Sequence, residues 1–89
     1  MFTKTVYPFC PLGKDNYRAD IEVTVYPDSE LFDFCEVDRK LEALSGQDLL
    51  IEDVADKVYA LMQKYNPATL SVKVNGYSNR HFPVEVIKE

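Results

Sequence analysis

The chain has 89 residues, of which 46% are hydrophobic and 28% charged, and its net charge is −5. A domain of this length buries only about 60% of the surface that its unfolded chain exposes, so its core is thin and self-association would extend it. The basic residues are scattered, and the sequence has no basic stripe of the kind that nucleic-acid or anionic-membrane binding requires.

The first residues, MFTKTVY, lack the apolar stretch of a signal peptide, and no apolar run approaches the ~20 residues of a membrane span. We therefore expect a cytoplasmic protein in which Cys10 and Cys35 are both reduced. His81 is the one histidine and there is no C-x-x-C motif, so we expect no zinc or iron–sulfur site.

The N-terminal third predicts strands. TKTVY (3–7) is typical of a short first strand, interrupted by the loop that carries Cys10. YRADIEVTVY (17–26) alternates apolar and polar residues, which predicts a strand with one face on a core. The turn formers PDSE (27–30) then lead to LFDF (31–34), for which we predict a partner strand in a hairpin.

The middle of the chain predicts two helices. Val37, Leu41 and Leu44 have i, i+4, i+7 spacing, which indicates a short helix over residues 35–44. Ser45 and Asp48 have the spacing of a capping box for a second helix, which NPA (66–68) ends. The apolar stripe of the second helix consists of Leu50, Val54, Val58, Leu61 and Tyr65, widened by Ile51, Ala55 and Met62.

The C-terminal part predicts two more strands. Residues 70–74 alternate, and Phe82, Val84 and Val86 mark the last strand. The order β-β-α-α-β-β predicts one α+β domain over residues 1–89, with a two-layer architecture of four antiparallel strands and two helices on one face. The other face would be polar, and two free sheet edges favour a homo-oligomer. That polar face would carry Arg18, Asp20, Glu22, Lys73 and Glu85.

Two residues stand out as candidates for chemistry. Cys10 lies in a Pro-flanked loop directly before the strongest strand, and Glu52 lies in the first turns of the second helix among apolar neighbours. A loop cysteine is more often a packing residue than a nucleophile, and a glutamate in a first turn most often complements the helix dipole. Asp15 would by default form a turn, and Cys35 would be a small buried side chain. By the same reasoning Asp53 and Asp56 are solvated helix charges and His81 is a turn residue.

Taken together, FCPLGKDNYRADIEV (9–23) and LIED (50–53) resemble the tunnelling-fold (T-fold) proteins. Modules of that superfamily have the β-β-α-α-β-β order, and a glutamate at this helix position anchors a purine or pterin. Within the superfamily the chain is most similar to 7-cyano-7-deazaguanine reductase, the nitrile reductase of queuosine biosynthesis. The matching residues are Cys10-Pro11, Gly13, Asp15 and the strand from Tyr17.

The resemblance implies a defined chemistry. A thiolate at Cys10 would add to the nitrile carbon of 7-cyano-7-deazaguanine and form a covalent thioimide. Asp15 would move the proton to and from the nitrile nitrogen, and Glu52 would bind the guanidine edge of the ring. In the reductase NADPH then delivers hydride twice. The resemblance also implies a homo-oligomer whose sites lie between subunits.

Departures from the reductase pattern leave alternatives open. The Ser-Leu-Lys cofactor segment expected near LFDFCEV (31–37) is absent, Ile51 stands where the family has a histidine, and Arg80 is the one match to a C-terminal Arg-Gly-Gly stretch. The family's aspartate lies further from the cysteine than Asp15 does and nearer than Asp20 does. Related archaeal proteins that form an amidine by the same thioimide also lack the cofactor segment.

Two further alternatives come from other classes. Residues 32–58 are similar to dihydroneopterin aldolase, although that enzyme has a lysine where Asn75-Gly76 stand, and its pattern leaves the Cys10 loop unexplained. A non-catalytic domain that kept the scaffold and binds a ligand is the other alternative. The single histidine excludes a pyruvoyltetrahydropterin synthase, whose zinc site needs several.

Overall fold

The computed structural model of the protein describes residues 1–26 and 33–89. Its main sheet is antiparallel and has four strands, in the spatial order β1, β4, β5, β6. A separate two-stranded ribbon, formed by β2 and β3, lies in the chain between β1 and β4. The strands are β1 (Phe2–Val6), β2 (Phe9–Cys10), β3 (Asp15–Asn16), β4 (Arg18–Tyr26), β5 (Thr69–Ser78) and β6 (His81–Lys88), and the helices are α1 (Phe34–Glu42) and α2 (Ile51–Gln63).

The period-two pattern of β4 is confirmed by its register with β5. Ile21 lies opposite Val74 and Val23 opposite Val72, and all four side chains are buried in the core. The alternate positions face away from the helices, where Glu22 lies opposite Lys73. One face of the sheet therefore carries the core and the other is polar, as expected for a two-layer α+β domain.

Helix α1 begins one residue earlier than predicted and replaces part of a predicted strand. The Asp33 carboxylate accepts hydrogen bonds from the backbone N–H groups of Cys35 (3.0 Å) and Glu36 (3.2 Å) and so forms the N-cap. The predicted strand over 31–34 is therefore wrong for Asp33 and Phe34, because the cap commits them to the helix. Residues 31 and 32, and the predicted turn over 27–30, lie outside the described residues. Cys35 is exposed rather than buried.

Helix α2 packs with its predicted stripe on the sheet. Val54, Ala55, Val58 and Met62 are buried, and Leu61 is half-buried beside them. The predicted capping box is wrong. The helix begins at Ile51, and its cap is the Asp53 carboxylate, which accepts a hydrogen bond from the Leu50 N–H at 3.1 Å.

The residues of that mistaken capping box bind a different part of the chain. The Ser45 hydroxyl accepts from the Tyr7 N–H at 3.0 Å, and Asp48 pairs with Phe9 in an isolated parallel bridge. The Ser45 side chain and the Asp48 backbone thus make tertiary contacts, although the sequence pattern assigned both residues to a local helix cap.

The outer positions of the sheet are taken by β1 and β6, and no strand among the described residues pairs with their free sides. Lys4 of β1 forms ion pairs of 2.9 Å with both Asp38 and Glu42 of α1, which ties this edge to the helical layer. Neither described helix is both long enough and apolar enough to cross a membrane.

Candidate functional site

A cleft of about 370 Å³ opens where the β2–β3 ribbon, the start of α2 and the β5–β6 turn meet. All three residues predicted for the site, Cys10, Asp15 and Glu52, line it. They come from three separate elements, β2, β3 and α2, so the tertiary structure brings together what the sequence places up to 42 positions apart. The other lining residues are Leu12, Gly13, Tyr17, Leu50, Ile51, Gly76, Tyr77, Ser78, Arg80, His81 and Val84.

Cys10 and Asp15 lie directly opposite each other in the ribbon. Cross-strand partners place their side chains on the same face of the pair, with β-carbons roughly 5 Å apart. The turn between them is closed by a 2.7 Å hydrogen bond from the Lys14 N–H to the Cys10 carbonyl, and the Gly13 N–H donates to the Cys10 Sγ at 3.3 Å. The sulfur thus accepts a backbone hydrogen bond, and its cross-strand neighbour is a carboxylate.

The ribbon is fixed to the segment before α2 by backbone hydrogen bonds. The Phe9 N–H donates to the Gln47 carbonyl, and the Leu49 N–H donates to the Phe9 carbonyl, both at 2.9 Å. Because Leu49 lies two residues before the first residue of α2, these bonds place Cys10 close to the N-terminus of that helix. The distance between the sulfur and the first turn of α2 is therefore set by main-chain geometry.

Tyr17 connects the chain before the β2–β3 ribbon with the segment before α2. Its N–H donates to the Pro8 carbonyl at 3.0 Å, and its hydroxyl donates to the Leu49 carbonyl at 2.7 Å. The side chain is buried. Burial, and then the proximity of Cys10, raises the pKa of Tyr17 well above its usual value. The hydroxyl therefore stays protonated and acts as a donor that holds the ribbon, β4 and α2 together.

Glu52 lies in the first turn of α2 and is exposed to the cleft. Asp53, its neighbour, already uses its carboxylate as the helix cap. Within residues 1–26 and 33–89 the Glu52 carboxylate has no hydrogen-bond donor, so both of its oxygens can accept from a ligand. The N-terminal end of a helix carries a partial positive charge, so a ligand bound by Glu52 would also lie near that end of α2.

Gly76 allows α2 to approach β5 closely. A β-carbon at Gly76 would lie 2.7 Å from the Cδ1 of Ile51, which is shorter than any ordinary contact. Ile51 therefore packs directly on the strand backbone and forms a floor of the cleft beside Glu52. The segment Asn75-Gly76, where an aldolase would have a lysine, has a packing role here.

The β5–β6 turn supplies residues to the cleft that the sequence analysis did not assign to the site. Arg80 Nε lies 3.5 Å from Asp15 Oδ2, and this ion pair spans the cleft from the turn to the ribbon. His81, Tyr77 and Ser78 also line it. The sequence carries little signal for these residues, because their place depends on the spatial order of the strands. The partial match of Arg80 to a family stretch was the one hint.

The segment in which the resemblance would place NADPH-binding residues is described from Asp33 onward. Asp33 caps α1 and Glu36 forms a 3.0 Å ion pair with Lys40, so the described part of the matching segment presents carboxylates. Carboxylates repel the phosphates of a dinucleotide. Among the described residues, no three His, Cys, Asp or Glu side chains are grouped so that they could hold a metal ion.

No family model matches the chain, and no curated protein matches it. Among solved structures it is similar to the crystal structure of the archaeosine synthase QueF-Like in the apo form, with a TM-score of 0.83 and 21% sequence identity. The similarity covers 98% of this chain and 87% of that one. At this identity the match establishes the architecture, and the chain therefore has the tunnelling fold that its sequence resembles.

Proposed function

We propose that the cleft binds a 7-deazaguanine ring that carries a nitrile, and that Cys10 adds to the nitrile carbon to form a thioimide. The observation that carries the proposal is that Cys10, Asp15 and Glu52 line one cleft. The distance between Cys10 and Asp15 along the chain departs from the reductase pattern, yet both residues line the same cleft as Glu52. The fold neighbour is itself named an archaeosine synthase.

Glu52 would select the ring. The guanidine edge of a deazaguanine presents two parallel N–H donors, and an ionised carboxylate accepts both in a bidentate arrangement. The half-buried Ile51 beside it would lie against an apolar face of the ring. A pterin has the same pair of donors, so this carboxylate alone does not distinguish the two ring systems.

Cys10 and Asp15 would carry the first chemical step. The sulfur forms a bond to the nitrile carbon while one C≡N π bond breaks, and the thiol proton passes through the Asp15 carboxylate to the nitrile nitrogen. Asp15 faces Cys10 across the ribbon, and Arg80 keeps that carboxylate next to a positive charge. The step needs a free thiol, and Cys10 and Cys35 are both unpaired. A reducing compartment such as the cytoplasm would preserve it.

We propose that ammonia or a primary amine then releases the thioimide as an amidine. The amine nitrogen forms a bond to the carbon, the C–S bond breaks, and the electron pair leaves with the sulfur of Cys10. No electrons are exchanged with a cofactor in this step, which suits a segment whose Asp33 and Glu36 carboxylates do not fit a dinucleotide phosphate.

Intact mass spectrometry after mixing the protein with 7-cyano-7-deazaguanine tests the first step. We expect a mass increase of one ligand in the wild type and in Cys35→Ser, and none in Cys10→Ser. Cys35 is the matched control because it is the other free thiol and is exposed. An adduct that persists in Cys10→Ser, or none in the wild type, would contradict the proposal and leave a ligand-binding domain, to be tested with pterins.

The second step is tested on the preformed adduct. Ammonium chloride should return the protein to its unmodified mass and release an amidine. NADPH should leave the adduct unchanged. Loss of the adduct with NADPH, together with an aminomethyl product, would instead identify a reductase.

We also propose that the chain self-associates through its sheet edges. The edge strand β6 has two large exposed apolar side chains, Phe82 (78% exposed) and Ile87 (53%). Unprotected edges of this kind tend to pair with another copy. Light scattering should show an oligomer for the wild type and a smaller species for Ile87→Lys. A stable wild-type monomer at working concentration would contradict it.

A further inference from the structure

The one histidine of the chain lies in the cleft. His81 is the first residue of β6, and its register partner across the β5–β6 turn is Ser78. Both residues line the cleft that Cys10, Asp15 and Glu52 share. The imidazole is exposed, so a small molecule that enters the cleft can reach it.

The hydrogen bond of the ring defines its tautomer. His81 Nδ1 lies 2.6 Å from the carbonyl oxygen of Phe82. A carbonyl only accepts hydrogen bonds, so Nδ1 carries the proton of the neutral ring and Nε2 keeps a free lone pair. The Phe82 ring packs against the imidazole edge to face, with centroids 6.2 Å apart. The backbone and a neighbouring ring thus hold a basic nitrogen in one orientation.

Each of the other titratable groups that line the cleft has a contact or a task of its own. The Tyr77 ring lies under the Arg18 guanidinium, whose Cζ is 4.3 Å from the ring centroid. Asp15 pairs with Arg80 and faces Cys10. The Tyr17 hydroxyl donates to the Leu49 carbonyl and stays protonated. Glu52 would be occupied by the ring. None of these groups is left as a base for a second nucleophile, and a neutral imidazole with a free Nε2 lone pair is the side chain that most often takes this role.

We propose that His81 is the general base for the amine that releases the thioimide. This inference rests on the function proposed above. As the amine nitrogen forms its bond to the thioimide carbon, one proton passes from that nitrogen to Nε2 of His81. The resulting imidazolium returns the proton to the sulfur of Cys10 when the C–S bond breaks. The amidine, the free thiol and the neutral imidazole are then restored.

The test separates formation of the adduct from its release. His81→Asn keeps a side-chain N–H that can donate to the Phe82 carbonyl but has no basic nitrogen, and His81→Gln is a second variant. Asn79→Ala, in the same turn but outside the cleft lining, is the matched control. Each protein is loaded with 7-cyano-7-deazaguanine, and loss of the adduct with ammonium chloride is followed by intact mass.

We expect wild-type rates of adduct formation in all variants. Release by ammonia should be about 100-fold slower or more in both His81 variants and unchanged in Asn79→Ala. Per unit of free ammonia, the wild-type release rate should fall in acid, where an imidazolium has no lone pair to accept a proton, and this fall should be missing in His81→Asn. The pH dependence would not change if the imidazole only shaped the turn.

Two results would overturn the role of His81 while leaving the proposed function intact. One is release in both His81 variants as fast as in the wild type. The other is slower adduct formation in these variants, which would place His81 in the first step. Absence of any adduct in the wild type would instead overturn the proposed function, and this inference with it.

Discussion

The two ends of the β4–β5 strand pair are stabilised in different ways. At the end near Val23 and Val72 the side chains are fully buried between the sheet and the helices, and many apolar contacts together stabilise this end. At the cleft end, a few hydrogen bonds made by Tyr17 and the backbone near Phe9 hold three elements in place. Loss of a core contact should therefore lower stability without changing the site, whereas loss of a cleft contact should disturb the site and lower stability less than a core substitution does.

The largest effect on stability should come from the core. Met62 is 0% exposed, and Met62→Ala should lower the free energy of unfolding by about 3 kcal/mol, because it removes buried apolar surface and leaves a cavity. Urea denaturation measures this. At temperatures where the variant is folded, its rate of adduct formation should equal that of the wild type. A loss of stability below about 1 kcal/mol would show that neighbouring core side chains can move in and fill the cavity at residue 62.

Tyr17→Phe should lower both the free energy of unfolding and the rate of adduct formation. It removes the hydroxyl that donates to the Leu49 carbonyl, which should cost about 1–2 kcal/mol because a buried acceptor loses its partner. Since the same bond fixes the start of α2 against the ribbon, adduct formation should slow more than the stability loss explains. Denaturation and adduct kinetics on one preparation test this. Met62→Ala, brought to equal stability by temperature, is the control.

Gly76→Ala should affect the cleft more than the stability. The added methyl group would lie 2.7 Å from Ile51 Cδ1, the flexible end of a side chain that can rotate into the cleft. We expect a stability loss of about 1 kcal/mol and weaker binding of the ring, measured by titration calorimetry with Cys10→Ser as background. Ile51→Val removes the clashing atom, so Gly76→Ala/Ile51→Val should recover the binding. Failure of the double variant to recover would assign the effect to the strand backbone.

The effect that is smallest at neutral pH is a dependence of stability on alkaline pH. The folded protein holds the Tyr17 pKa above the unfolded value of about 10, so above pH 10 the unfolded state releases a proton that the folded state keeps. Stability should therefore fall as the pH rises through this window, by at most about 1.4 kcal/mol per pH unit from this group. The contribution of Tyr17 is the difference in pH dependence of the free energy of unfolding between the wild type and Tyr17→Phe. An equal pH dependence in both proteins would contradict the assignment.

The sequence predicted the strands of the main sheet and helix α2 because the hydrophobic pattern of each element is periodic and local. Alternation in β4 and the apolar stripe of α2 persist over enough residues for burial to follow them. The errors lie where side chains have two possible partners. Ser45 and Asp48 fit a local helix cap, yet they pair with Tyr7 and Phe9, just before Cys10. Asp33 caps a helix where a strand was predicted.

Residue chemistry along the sequence was enough to single out Cys10 and Glu52, since a Pro-flanked cysteine and a carboxylate at a helix start can be identified without coordinates, and the resemblance to a known family added Asp15. That these three share one cleft with Arg80 and His81 was decided by the tertiary structure alone. The physical reason is that strand order and the main-chain bonds of Phe9 and Tyr17 bring the ribbon, helix and turn together, and contacts between residues so far apart leave no periodic signal in the sequence.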